Sequence, residues 1–365
     1  MASIVEYVKE YGSYGFEEVP FSEVDGLVLS QFAYLNPEGH VGRLSEQKQN
    51  TALRRLAEAE IPELFQSVWY EKDNRRLFRA MCESRRFGGM ELNYHACILN
   101  EDTQTQFAAM TVFLEKGPTI VLFRGTDTSI VGWKEDFNMA FRRPVTGHRL
   151  STMYLNQVGY RISGRFFVSG HSKGGNFAVY GAMSCASDVR ERIEAVYSFD
   201  GPGFRPELLD SRDFEMIRER IRKYMPRSSI VGMLLQTREE FKLVECGSVG
   251  ILQHNPFTWK VHKGCLKEAE DIPAAVKLMN HTLNDWIFSR EDEELELFVE
   301  SLYGVITATN AGTLTQLMKE PGRHFPEILG ALRNLDEETK EKLKEVMGAL
   351  WEIGAENLLR QVQNQ

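Results

Sequence analysis

The sequence predicts an α/β fold, in which a mostly parallel central sheet is flanked by helices and accompanied by further helical regions. Between residues 91 and 270, short apolar runs alternate with helix-like segments, an order that is typical of α/β proteins. Several of these runs, such as residues 119–123, are apolar at almost every position, as expected for parallel strands that are buried on both faces.

The predicted elements define three regions along the chain. Residues 1–90 form a mostly helical region packed on the core, residues 91–270 form the α/β core, and residues 271–365 form a helical extension. The extension ends in an amphipathic helix, residues 339–362. Strands are predicted at residues 95–99, 107–114, 119–123, 165–169, 195–199, 229–235 and 241–246. Helices of the core are predicted at residues 151–158, 176–186 and 214–224.

The composition excludes several classes of protein. The chain has 365 residues, 42% of them hydrophobic, so it can bury a sizeable core. A net charge of −9 gives no support for a nucleic-acid partner. The five cysteines contain no C-x-x-C pair, which disfavours a disulfide framework or a zinc site. The charged N-terminus and the lack of any apolar stretch near ~18 residues predict a cytoplasmic protein without stable membrane insertion.

The motif G-x-S-x-G at residues 170–174 points most strongly to a function. It lies between a predicted strand and a predicted helix, the context that the nucleophile of an α/β-hydrolase requires. In that context Ser172 occupies a strained turn, and Gly170 and Gly174 let neighbouring backbone approach it. The helix that begins near Lys173 favours negative charge at its N-terminus. The motif therefore predicts an α/β-hydrolase fold with Ser172 as the nucleophile.

A histidine must serve as the base for this nucleophile. In the α/β-hydrolase fold the base lies in the loop after the last core strand. His254 follows the predicted strand at residues 241–246 and lies between Gly250 and Pro256, which shape the loop. His262 lies a little further along and is the second candidate. His171 is adjacent to Ser172, but neighbouring side chains on such a turn point apart, so a structural role is expected for it.

Two phrases upstream resemble the class-3 lipases, the fungal triglyceride-lipase family, and an uncharacterised bacterial branch of that superfamily. They are F-R-G-T at residues 123–126 and W-K-E-D-F at residues 133–137, and the resemblance covers residues 95–260. It implies that Thr126 is the first residue of an oxyanion hole, through its backbone N–H and also, by one alternative, its hydroxyl. Lys173 would supply the second N–H. Each such donor is worth roughly 3 kcal/mol in a transition state. In the alternative, Thr126 is a turn residue that caps the next segment.

Position 173 departs from the lipase pattern, because lipases usually carry leucine or another apolar residue there. A lysine keeps the backbone donor but places a cation beside the site. This departure weakens the case for a bulky neutral triglyceride and leaves room for an acidic or phosphorylated acyl substrate.

The acid of the predicted triad has two competing positions. In class-3 lipases it follows the next-to-last strand, where this chain has Ser229. Asp200 instead follows the predicted strand at residues 195–199. The motif around it resembles that of the pancreatic-type lipases, and this position keeps the order Ser–Asp–His along the chain. We therefore expect the Asp200 carboxylate within hydrogen-bond reach of His254. In the alternative, Asp200 only caps the turn at residues 201–203 and a Ser–His dyad remains.

These residues together predict a serine hydrolase that cleaves an ester or acyl bond through Ser172, His254 and Asp200. The expected partner is a small-molecule acyl or ester substrate. The sequence shows neither a cofactor motif nor metal-ligand spacing, so neither a cofactor nor a metal ion is expected. An acyltransferase or thioesterase would use the same triad. A catalytically inactive ligand sensor or scaffold is the other alternative, suggested by the serine at the usual acid position.

Overall fold

The computed structural model describes residues 2–46, 48–59, 61–139, 141, 144–307, 337, 340 and 341. Its centre is an eight-stranded sheet whose strands lie in chain order. The strands are β1 (Thr51–Ala52), β2 (Glu91–Asn100), β3 (Thr105–Phe113), β4 (Thr119–Phe123), β5 (Phe166–His171), β6 (Ile193–Phe199), β7 (Ile221–Pro226) and β8 (Phe241–Val244). Pairing is antiparallel from β1 to β4 and parallel from β4 to β8, so four of the seven pairings are parallel. A separate two-stranded antiparallel sheet joins β9 (Val261–His262) to β10 (Cys265–Leu266). The predicted α/β fold is confirmed.

Helices precede, connect and follow the strands. Those before the core are α1 (Ile4–Tyr11), α2 (Glu23–Phe32), α3 (Leu53–Glu58), α4 (Glu71–Glu83) and α5 (Arg85–Gly88). The connecting helices are α6 (Ile130–Asn138), α7 (Thr146–Gly159), α8 (Lys173–Ser184), α9 (Ser187–Arg190), α10 (Pro206–Leu209) and α11 (Arg212–Glu215). The extension contributes α12 (Ala274–Phe288) and α13 (Asp292–Thr307). Short 3₁₀ helices occur at Pro62–Phe65, Arg218–Arg220, Val231–Met233, Gly250–His254 and Pro256–Thr258.

The sheet has a packed layer on each face. Ile120 and Leu122 of β4 join an apolar cluster with residues of α1, α2 and α4. Val121 and Phe123 join the opposite cluster, which includes residues of α7 and α8. All four side chains are fully buried. Since successive residues of a strand point to opposite faces, a strand covered on both sides must be apolar throughout, which explains the run at residues 119–123.

Helix α2 packs against strands β5 and β6 of the sheet. A Cβ on Gly26 would lie 3.2 Å from the Phe199 ring, so the helix approaches β6 closely. The hydroxyls of Ser30 and Ser169 are 2.7 Å apart and join the helix to β5. This packing places Tyr34, just after the helix, beside the end of β5.

The prediction of a helix at residues 214–224 is wrong. This segment contains the end of the short α11, a 3₁₀ turn at Arg218–Arg220 and the first four residues of β7. The charged Arg222 and Lys223 make the strand resemble an exposed helix in the sequence. Lys223 is nevertheless buried, with its ammonium 2.7 Å from the Thr237 hydroxyl. The buried carboxylate of Glu239 lies 3.6 Å from the same ammonium, and this ion pair allows a charged residue in a core strand.

The strand predicted at residues 229–235 is also wrong, because β7 already occupies the position beside β6. Residues 229–235 form a loop that contains the 3₁₀ turn Val231–Met233. The last core strand, predicted at residues 241–246, ends at Val244. The amphipathic helix predicted at residues 339–362 lies almost entirely outside the described residues.

Candidate active site

Ser172 lies in the sharp turn between β5 and α8. Its φ of 59° and ψ of −132° form a combination that non-glycine residues rarely adopt. A Cβ on Gly170 would lie 2.2 Å from the Gly174 backbone, and one on Gly174 would lie 2.2 Å from the Phe123 carbonyl oxygen. The turn therefore requires both glycines of the motif. The Ser172 amide donates to the Phe199 carbonyl at 2.8 Å, which holds the turn against β6.

Asp200 directly follows β6, and the structure brings it together with His254. The distance between Asp200 Oδ2 and His254 Nδ1 is 2.6 Å, and the Asp200 side chain is fully buried. The Asp200 amide donates to the Tyr224 carbonyl at 2.7 Å, and its φ of 51° lies in the left-handed region. The carboxylate is thus aimed at His254 and does not merely cap the turn at residues 201–203.

Ser229 lies on the other side of the same carboxylate. Its hydroxyl donates to Asp200 Oδ1 at 2.5 Å and accepts a hydrogen bond from the Gly232 amide at 2.8 Å. The serine at the usual acid position of class-3 lipases therefore holds the carboxylate of Asp200 in place.

His171 and Tyr34 form a hydrogen-bonded chain that reaches the backbone of His254. His171 Nε2 lies 2.9 Å from the His254 carbonyl oxygen, and Nδ1 lies 2.9 Å from the Tyr34 hydroxyl. Because a carbonyl oxygen only accepts, Nε2 carries the proton and the Tyr34 hydroxyl donates to Nδ1. Burial, together with the neighbouring His254, lowers the pKa of His171 well below its ordinary value, which keeps the ring neutral. No sequence pattern singles out Tyr34, which lies 137 residues before its partner.

Thr126 lies in the loop after β4, next to the start of α8. A Cβ on the preceding Gly125 would lie 2.6 Å from the His171 carbonyl oxygen, so this loop contacts the end of β5. The Thr126 hydroxyl donates to Asp136 Oδ2 at 2.6 Å, so its proton is already in use. Within the described residues, neither the Thr126 amide nor the Lys173 amide donates a hydrogen bond. Both amides therefore keep an unused hydrogen-bond donor in the described structure.

The ammonium of Lys173 is buried and forms an ion pair. Its side chain is 0% exposed, and Nζ lies 3.0 Å from Glu135 Oε2, whose side chain is 1% exposed. Glu135 also accepts hydrogen bonds from the amides of Gln106 at 2.9 Å and Gly147 at 3.0 Å. The cation at position 173 thus lies beside the site as expected from the sequence, and it neutralises a buried carboxylate of α6.

Asp136 is the second acidic residue of α6 at this site. Burial raises the pKa of its carboxyl to about 6, although Lys173, 3.7 Å away, and the Thr126 hydroxyl oppose the increase. Asp136 therefore changes its charge close to neutral pH, next to the loop that carries Thr126.

His262, the second candidate for the base, is exposed in strand β9, away from these contacts. In the described part of the chain, His, Cys, Asp and Glu form no group of three or more that could hold a metal ion. None of the described helices combines the length and apolar character needed to cross a membrane.

The parallel strands, their flanking helices and the serine turn between β5 and α8 define an α/β-hydrolase. A family model described as Mbeg1-like matches residues 81–304, more than half of the chain, and the protein belongs to this family. It is a lipase-like α/β-hydrolase, as its resemblance to lipases predicted. A solved structure described as "Crystal structure of M37 lipase" aligns with a TM-score of 0.39 and 14% identity, over 58% of this chain and 70% of that chain. A comparison with curated proteins finds no match.

Proposed function

We propose that the protein is a serine hydrolase that cleaves an ester or acyl bond in a small-molecule substrate. The observation that carries this proposal is the 2.6 Å contact between His254 Nδ1 and the buried carboxylate of Asp200. Asp200 follows β6 and His254 follows β8, so both lie beyond the carboxyl ends of strands, as Ser172 does after β5. A carboxylate at Nδ1 selects the tautomer in which Nε2 is free to accept a proton.

In the proposed reaction, His254 Nε2 takes the hydroxyl proton of Ser172 as Oγ attacks the substrate carbonyl carbon. The tetrahedral intermediate collapses when the bond to the leaving group breaks, and His254 returns the proton to that group. A water molecule, deprotonated by the same ring, then releases the acid and restores Ser172. The described contacts of the His254 ring are with Asp200 and His171, and the bond to Ser172 would form in the substrate complex.

The amides of Thr126 and Lys173 are the proposed donors to the oxyanion. They lie on segments in close contact, since Gly174 packs against the backbone of residues 123–125. Two donors of this kind lower the barrier by roughly 3 kcal/mol each. The Thr126 hydroxyl would act indirectly, because its bond to Asp136 orients the loop.

The alternative of an inactive scaffold depended on Ser229 at the usual acid position. The hydrogen bond from Ser229 to Asp200 gives this serine a supporting role, which favours the active hydrolase over that alternative. Hydrolase, thioesterase and acyltransferase would share the acyl-enzyme on Ser172 and differ in the leaving group or in the acceptor.

A fluorophosphonate probe tests the proposal directly, because only an activated serine reacts with it. The wild-type protein should be labelled, Ser172→Ala should not, and Ser187→Ala, at an exposed serine, should be labelled normally. Asp200→Asn should keep the fold and lower kcat on a p-nitrophenyl ester by about 10⁴-fold, because the His254 tautomer would be wrong. A folded wild-type protein that is not labelled, or labelling that survives in Ser172→Ala, would reject the proposal.

A further inference from the structure

Helix α6 holds the side chains of both proposed oxyanion-hole residues. Asp136 accepts the Thr126 hydroxyl at 2.6 Å, and Glu135 pairs with the Lys173 ammonium at 3.0 Å. The position of α6 therefore influences the loop after β4 and the start of α8 together.

The residue before these two, Lys134, contacts α13. Its Nζ lies 2.6 Å from Glu300 Oε2 and 4.1 Å from the centre of the Tyr303 ring. The Lys134 side chain is only 6% exposed, whereas that of Glu300 is 42% exposed. Gln104 completes a ring of contacts, since it donates to Glu300 at 3.3 Å and accepts from Asn138 of α6 at 2.8 Å.

Apolar packing supports the same contact. Phe141, just beyond α6, belongs to a cluster with Leu295, Phe298 and Val299 of α13 and with Ile287 of α12. The extension is thus attached to α6 through both a buried cation and an apolar cluster.

We propose that α13 acts as a clamp that holds α6 against the active site and so positions the oxyanion hole, with Lys134 and Glu300 as the positioning pair. This inference rests on the proposed function. Loss of Glu300 leaves the mostly buried Lys134 ammonium without its carboxylate, which favours an outward movement of α6. A displacement of about 1 Å at a catalytic group lowers a rate by up to about 10²-fold.

The first test compares two carboxylates of α13. Glu300→Ala should lower kcat on a p-nitrophenyl ester by about 10-fold to 10²-fold, with KM almost unchanged, because transition-state stabilisation is lost and ground-state binding is not. Amide hydrogen exchange within α6 should become faster. Glu293→Ala, at an exposed position of the same helix, should change neither kcat nor the exchange of α6.

A charge exchange separates the ion pair from general damage to the fold. Lys134→Glu alone should be nearly inactive, and its combination with Glu300→Lys should recover part of kcat. An unchanged or higher kcat in Glu300→Ala, or a charge exchange without any recovery, would overturn the clamp. If the wild-type protein itself reacts with neither ester nor probe, the proposed function fails; an active wild type with an unaffected Glu300→Ala rejects only the clamp.

Discussion

The buried ion pair between Lys173 and Glu135 gives a quantitative prediction for Lys173→Met. Both side chains are almost completely excluded from solvent. After the substitution, the Glu135 carboxylate remains buried and keeps only the amides of Gln106 and Gly147 as donors. Removal of one partner of a buried pair costs about 3–5 kcal/mol. That is a large part of the ~5–15 kcal/mol that stabilises a typical protein.

The second substitution of this pair should partly reverse the effect. Glu135→Gln in the Lys173→Met background removes the unpaired charge, while the single amide oxygen keeps one of the two backbone hydrogen bonds. The remaining unsatisfied amide costs about 1–3 kcal/mol. The double variant should therefore be about 2 kcal/mol more stable than Lys173→Met alone.

Urea unfolding, followed by tryptophan fluorescence, measures both differences. The slope of the unfolding free energy with urea should stay constant, so that a changed midpoint reports a changed stability. A Lys173→Met variant as stable as the wild type, or a double variant less stable than Lys173→Met, would show that the pair does not neutralise a buried charge.

Two further predictions concern Asp136, which contacts Thr126, and Gly174, in the turn that carries Ser172. Because burial raises the pKa of Asp136 from its ordinary 3.8 to about 6, the folded protein holds a proton between these pH values that the unfolded chain releases. Asp136→Asn should therefore exceed the wild type in stability above about pH 6, by at most about 3 kcal/mol because a quarter of the side chain is exposed, and the advantage should vanish below about pH 4. Urea unfolding at several pH values checks this, and an advantage that does not depend on pH contradicts it. Gly174→Ala should prevent stable folding or abolish probe labelling, because the new Cβ would lie 2.2 Å from the Phe123 carbonyl oxygen. Normal labelling together with normal thermal stability would show that the turn has another geometry.

Features that depend on neighbouring residues can be predicted from the amino-acid sequence. The glycines at 170 and 174 and the apolar strand before them specify the turn at Ser172, because strand, turn and helix are all encoded within a short stretch. The contact between Asp200 and His254 could also be expected, since residues that follow parallel strands meet at one edge of the sheet. Such inferences need the order of the strands, but they do not need to know how elements that are distant in the sequence pack together.

The groups that compensate the buried polar residues lie far away in the sequence and are brought to them by the packing of the fold. Lys223 is compatible with a core strand because the buried Glu239 carboxylate and the Thr237 hydroxyl lie beside it, and without these partners the segment resembles a helix. Lys173 pairs with Glu135, 38 residues earlier, so its ammonium is already engaged within the protein. Tyr34 and α13 reach the site from outside the central strands. Hydrophobic periodicity reports whether a residue is buried, but the partner that compensates a buried charge is set by how the elements pack in three dimensions.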